Sequence, residues 1–326
     1  MANTYIGTCS WTDASLLKAA TFYPGRAATA DERLRFYSAV FPIVEVDSSY
    51  YALPSAANAR LWSERTPPGF KFHIKAFRLF TFHWTEVKSL PKDLKSIAPL
   101  EKDRFYFRDA SNELRNELMN RFSRAIAPLS ETGKLGIVLL QFPKWVTPRP
   151  DAFDHILRMQ SALRPHQVAV EFRNKAWLTE QRGKETLRWL EDNKLAFVCV
   201  DEPQGFVSSV PPVAAATTDI AYARFHGRNQ GNWEKPGQSV IDRFDWYYKD
   251  EELREWLPKI RTLQEEAREV HLLFNTNKGD QGPFNAIKLG RMLGEGLGDE
   301  EAVRSVEPRL GLVGEQLELG AGVGRA

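Results

Sequence analysis

Glu171, Asp201 and His226 have the types and placement for proton transfer. Each stands at or near the end of a short apolar run, and an imidazole beside two carboxylates titrates near neutral pH. Lys75, with His73, is positioned to assist them. The same trio is a usual ligand set for a divalent cation, although no sequence motif for a metal accompanies it. No cofactor is otherwise evident, and metal dependence stays open at this point. A second chemistry, anion binding, is written in FNTNKGDQGPFN. There Asn275, Asn277, Lys278 and Gly279 precede a helix expected to begin near Gly282 or Pro283, with Asn285 in its first turn. Helix N-termini with glycine-bearing approaches hold phosphate through free backbone N–H groups, and Arg173, Arg224 and Arg228 fall in the same neighbourhood. Among the aromatics, Trp11, Tyr51, Trp177 and Trp233 have rings to stack on a sugar or base; Trp11 and Trp233 adjoin polar loop residues and are expected to reach the site.

The elements that must position these groups are legible as eight short apolar runs: Tyr5 to Trp11, Ile43 to Ser48, Phe70 to Lys75, Leu135 to Phe142, Gln167 to Arg173, Leu195 to Asp201, Ile220 to Gly227 and Val270 to Asn275. Helical segments separate most of them, so the pattern predicts a parallel sheet, and its size fits a single-domain (β/α)8 barrel. Thr29 with Glu32 reads as a capping box, Ser55 as a helix start, and Glu113 to Ala127, Asp151 to Leu163, Glu180 to Asn193 and Glu251 to Glu269 as helices. Leu79 to Gly133 is too long for a simple crossover and predicts an insertion after strand 3. The domain is expected to span 1–294, with the glycine-rich stretch 295–326 a mobile tail.

Side chains two apart on a strand share a face. The parity of the runs therefore turns Glu45, Asp47, His73, Lys75, Gln141, Glu171, Arg173, Tyr222, Arg224, His226, His271 and Asn275 into the barrel, and it is expected to do the same for Asp201. A barrel interior is ordinarily filled by Val, Ile and Leu, so a polar ring toward the C-terminal strand ends points to a ligand site there. Buried ion pairs such as Glu171 with Arg224, or Asp47 with Lys75, are the competing structural explanation for the same residues.

Composition bounds the function further. Of 326 residues, 43% are hydrophobic, and 44 Lys and Arg against 42 Asp and Glu leave a formal charge of +2, too small a field to recruit nucleic acid or an anionic membrane globally. The two cysteines, Cys9 and Cys199, form no disulfide or zinc framework, and no apolar run is long enough to span a bilayer, so a cytoplasmic protein is expected.

IGTCSW followed by FYPG, then VEVDSSYYALPS, PPGFKFHIK, LGIVLLQFP, VEFRNKAW, YARFHGRN and FNTNKGDQGPFNA together resemble the YecE-like family, domain of unknown function 72, from about Tyr5 to Leu293. The resemblance implies a TIM barrel, names no reaction, and carries over motif positions that include Trp11, Glu45, Tyr51, Gln141, Glu171, Arg173, Trp177, Arg224, His226, Arg228, Asn275 and Asn285. The leading expectation is an enzyme that binds an anionic, phosphorylated sugar or nucleotide-like ligand at the barrel mouth and performs acid–base or hydrolytic chemistry. One alternative is a non-catalytic nucleic-acid or nucleotide module using Lys88, Lys92, Lys95, Lys102 and Arg104 of the insertion; another is a metal-dependent hydrolase.

Overall fold

A computed structural model describes residues 2–312 apart from 26, 100, 102 and 238. Eight parallel strands close on themselves: β1 Asn3–Thr8, β2 Ile43–Val46, β3 Lys71–Lys75, β4 Leu135–Gln141, β5 Val168–Glu171, β6 Ala196–Asp201, β7 Ile220–Phe225 and β8 Glu269–Phe274. Each lies inside or within a residue of an apolar run picked out above, except β1, which starts two residues earlier. Helices α1 Ala14–Ala19, α2 Ala30–Val40, α3 Ala56–Glu64, α4 Asn112–Glu131, α5 Pro150–Ala162 and α6 Gly183–Asp192 follow the first five strands, two of them after β1. They are followed by α7 Val240–Arg243, α8 Asp250–Arg254, α9 Leu257–Glu266, α10 Gln281–Leu293 and α11 Glu300–Val306.

Local chemistry explains most boundaries. Thr29 and Glu32 form the reciprocal capping box of α2, and the Ser55 hydroxyl accepts from the Asn58 N–H at the start of α3. The helix expected over 251–269 is divided, because Pro258 lacks an N–H and opens α9 as a fresh first turn after α8. The insertion after β3 folds as short 3-10 turns around a two-stranded antiparallel ladder of Thr85–Glu86 with Arg104–Phe105, and Leu79, Phe80 and Phe105 tie it to the core.

The stretch from 295 departs from the expected mobile tail. Asp299 caps α11, Val303 and Val306 are buried, and the N–H groups of Gly298 and Asp299 donate to Val40 O and Ala39 O at the end of α2 at 2.8 and 2.7 Å. Sparse apolar residues in a glycine-rich stretch suffice when each one lands on the core. Residues 313–326 of that expected tail lie outside the described residues.

The β1–β2 seam depends on Gly7, which pairs with Ile43; a Cβ there would lie 2.0 Å from Ile43 O. Gly7→Ala is expected to destabilise the chain by about 1–3 kcal/mol through forced separation of the strands, read as a lower urea midpoint at unchanged m-value.

Candidate functional site

The lumen holds a lattice of ionised groups centred on Arg224, which is fully buried. Its guanidinium donates to Glu45 at 2.6 Å, to Glu171, to Gln141 at 3.3 Å and to Cys9 Sγ at 3.6 Å. Tyr222 donates its hydroxyl to the other oxygen of Glu45. Glu171 also accepts from Arg173 Nε at 2.6 Å and lies 3.2 Å from His226 Nε2. Arg173 continues to Glu202 at 2.8 Å and to the His226 ring at 3.0 Å, and Asn275 meets the same ring at 3.1 Å. Lys75 pairs with Asp47 at 2.9 Å beside this array. Nearer the bottom of the barrel, His73 and His271 touch through ring nitrogens at 2.8 Å, and His271 reaches Glu269 at 2.9 Å. The parity reading thus brings together Glu45, Gln141, Glu171, Arg173, Arg224, His226 and Asn275, with Lys75 alongside.

Other expected site residues are placed elsewhere. Asp201 pairs in register with Phe225, whereas Val200 pairs with Arg224, so Asp201 lies on the outer face. There it accepts from Tyr248 Oη at 2.7 Å, Trp256 Nε1 at 2.6 Å and Arg228 Nη2 at 2.7 Å. The inward acid of this strand end is Glu202. Arg228 is consumed by Asp201 and Glu255. The Lys278 ammonium is taken up by Asp245, whose other carboxylate oxygen accepts from the Gln281 side chain at the start of α10 at 2.7 Å. Asn285 is structural: its amide bonds Tyr248 N, Trp246 O and Thr276 Oγ1. Trp177 stacks on Phe172 at 4.1 Å inside the core, and Trp11 packs edge-on to Trp62 at 5.6 Å, outside the mouth. Trp233 does reach it, lying over the Arg173 guanidinium at 5.3 Å with Phe244 beside His226. In the insertion, Lys88 pairs with Glu86, and Arg104 lies over Trp84.

Trp233 and Phe244 roof the β5–β7 side, and the open side of the mouth is a cavity of about 370 Å³ over β8, β1 and β2. The loop after β1 lines it with Cys9, Ser10, Thr12 and Asp13; the loop after β2 with Asp47, Ser48 and Tyr51; and the segment after β8 with Asn275, Thr276, Asn277 and Gly279, then Gly282 and Pro283 of the first turn of α10. Gly279, at φ +60°, turns its N–H to Ser15 Oγ at 3.0 Å and so holds this segment against α1.

A family model described as "Protein of unknown function DUF72" matches residues 5–308. The chain belongs to the DUF72 family. It is 30% identical to the UPF0759 protein YunF of Bacillus subtilis over 293 residues, which cover 89% of this chain and 94% of the relative. It is similar to a solved DUF72 family protein of Thermotoga maritima, with 30% identity, 90% of this chain and 100% of that one covered and a TM-score of 0.69. A second solved DUF72 family protein, of Enterococcus faecalis, is 23% identical over 90% of this chain and 98% of its own, also at a TM-score of 0.69, and shows the shared fold.

Electrostatics sort the groups of this DUF72 barrel by what they can do. Burial, reinforced by Arg173, pushes the His226 imidazole down to about 3, so near neutral pH it is uncharged and has no proton to donate as an acid. Burial would raise Glu171, but the Arg173 and Arg224 guanidinia beside it hold it well below the usual carboxylate range. Burial raises Glu45 against the pull of Arg224, and it pushes Glu202 up to about 8. The Asp47–Lys75 pair stays ionised: Lys75 and Arg224 outweigh the burial of Asp47 and lower it, while Asp47 outweighs the burial of Lys75 and raises it. Asp47 is the charged group that both joins this array and lines the cavity.

Glu171, Asp201 and His226 do not form a metal site, since Asp201 is on the other side of the sheet and Glu171 is held by two arginines. Among the described residues, no group of three or more His, Cys, Asp or Glu side chains is arranged to hold a metal ion. No helix among the described residues is long and apolar enough to cross a membrane.

Proposed function

We propose that this DUF72 protein is an enzyme that binds a phosphorylated, sugar-like molecule in the mouth cavity and moves a proton on it. The observation that carries the reading is the lining itself: three adjacent loops bring hydroxyls, two carboxylates and two amides to one hollow that also borders the first turn of α10. Hydroxyls, carboxylates and amides match the alternating donors and acceptors of a polyol. The positive end of a 13-residue helix suits a phosphate group. In this reading Asn275 and Asn277 with the start of α10 hold the anionic group, and Tyr51, 52% exposed, covers a sugar face. Asp47 accepts the proton, Lys75 offsets the charge that develops, and the Arg224 lattice fixes Asp47 and Lys75 from below.

The test is a thermal-shift and calorimetric screen of inorganic phosphate and of pentose and hexose phosphates. A bound ligand at about 100 times its Kd stabilises the fold by about 2.7 kcal/mol. A sugar phosphate is expected to raise the melting temperature more than phosphate or the free sugar does. Asn277→Asp, which sets a carboxylate beside the helix start, is expected to weaken binding about tenfold or more, in line with the 0.3–2 kcal/mol of a charge at a helix end plus a lost amide contact. Asp47→Asn is expected to abolish turnover while leaving the melting temperature within a few degrees. Melting temperatures unmoved by every compound at millimolar concentration would overturn the proposal.

A further inference from the structure

A second hollow, of about 660 Å³, lies outside the barrel mouth, between the insertion after β3 and helix α5. Its walls combine three kinds of group. Trp145, 55% exposed, and Tyr106 present aromatic faces. Arg108, Arg149 and Arg158 present guanidinia; of these Arg149 meets Asp151 at 3.2 Å, both side chains being 63% exposed, and Arg108 and Arg158 have no carboxylate partner among the described residues. With Arg115, Asp151 and Asp154 included, the lining carries four arginines against two aspartates, a formal charge of +2. α5 begins at Pro150 with no side-chain cap, its N-cap residue being Arg149.

The third kind is an acceptor. His155 also lines the hollow and is 6% exposed, packed on Phe82 at 4.1 Å. Its Nε2 lies 2.8 Å from Phe80 O. A carbonyl only accepts, so Nε2 carries the hydrogen and the neutral ring keeps Nδ1 as a lone-pair acceptor, with no partner among the described residues. Burial lowers the pKa of this imidazole and keeps it neutral.

We propose that this groove is a binding site for a nucleobase joined to a phosphate. The base stacks on Trp145 or Tyr106, its N–H groups meet His155 Nδ1 and Asp154, and the phosphate is held by Arg149 and Arg158. An aromatic plane, cations and N–H acceptors together fit that chemistry; an acidic peptide would use the cations alone, and a neutral sugar would leave them unused. The source is either a free nucleotide or a single strand of nucleic acid.

The experiment measures binding of adenosine monophosphate by calorimetry and of a fluorescein-labelled octa-adenylate by anisotropy, each at two salt concentrations. Trp145→Ala is expected to weaken both by about fivefold to a hundredfold, the range of one lost base stack. Arg149→Ala with Arg158→Ala is expected to weaken both at least tenfold and to flatten the salt dependence. All these side chains are largely exposed, so the variants should fold, which circular dichroism checks. Asn277→Asp at the mouth leaves unchanged the component of binding that Trp145→Ala removes, which separates this site from the one proposed above. An oligonucleotide bound more than tenfold tighter, with a steeper salt slope, identifies a strand as the source; equal affinity identifies a free nucleotide. Absence of saturable binding of both probes at millimolar concentration, or affinities that the groove variants leave unchanged, would overturn the proposal.

Discussion

Arg224→Met is expected to destabilise the protein by about 3–5 kcal/mol, a large part of the 5–15 kcal/mol that holds an ordinary domain together. The cause is what remains behind. Glu45 and Glu171 are fully buried, and without Arg224 the first keeps the Tyr222 hydroxyl and the more distant pull of Lys75, while the second keeps Arg173 and an uncharged His226. Arg224→Lys should recover little, because one ammonium cannot reach both carboxylates as the two guanidinium nitrogens do. The diagnostic variant is Arg224→Met combined with Glu45→Gln and Glu171→Gln. Removing the charges together leaves no unpaired carboxylate, so the triple variant should be more stable than Arg224→Met alone, with strongly non-additive energies. Urea titration at neutral pH reads all of these. A loss below about 1 kcal/mol for Arg224→Met would mean that the two carboxylates take up protons at little cost, and that the lattice is not held by charge pairing. If the triple variant also retains sugar-phosphate binding but not turnover, the lattice positions Asp47 and Lys75 and does not itself contact the ligand.

This lattice shows how far alternation carries a sequence reading. β7, with Tyr222, Arg224 and His226 interleaved with Ala221, Ala223 and Phe225, announces its faces, and so do β2 and β5. β6 does not. AFVCVD is apolar at every position before its end, so nothing in it says whether Asp201 or Glu202 turns inward, and the register with β7 decides for Glu202. Asp47 lay in the legible inward set, yet what makes it the candidate base, its place beside an open cavity, depends on which sectors of the mouth are roofed. That roof is built by Trp233 and Phe244 from a long loop without periodicity. Arg228, Lys278 and Asn285 looked free because their partners, Glu255, Asp245 and the Trp246–Tyr248 backbone, lie in segments that only the closed barrel brings beside them. Residue type and spacing located the polar ring; long-range pairing determines which of its members are left for a ligand.

The dependence of stability on pH should have two limbs that meet near about pH 7. All six histidines, His73, His83, His155, His166, His226 and His271, are held below the ordinary imidazole value, with burial the first cause in each. A base whose folded pKa is depressed takes up its proton more readily in the unfolded chain, so its contribution is present above 6.5 and lost as the pH falls below it. His83 and His226, both lowered to about 3, would together remove about 5 kcal/mol by pH 4.5. Glu202 acts in the opposite sense. Its folded carboxyl lies near 8, above the unfolded value, so it binds a proton in the folded state first, and its contribution is complete at low pH and fades as the pH rises toward 8. From pH 8 down to about 7 the contribution of Glu202 grows by about 1 kcal/mol; below that its gain of about 1.4 kcal/mol per pH unit is outrun by the histidines, of which His83 and His226 come to lose as much each. Glu202→Gln separates the limbs. The variant loses part of its link to Arg173 and Val210 at every pH, but its stability relative to the parent should improve by about 4 kcal/mol between pH 5 and pH 8, leaving the acid limb in place. Parallel urea-midpoint curves for parent and variant across that range would show that Glu202 is ionised throughout, as its two accepted hydrogen bonds allow, and would transfer the alkaline limb to another group.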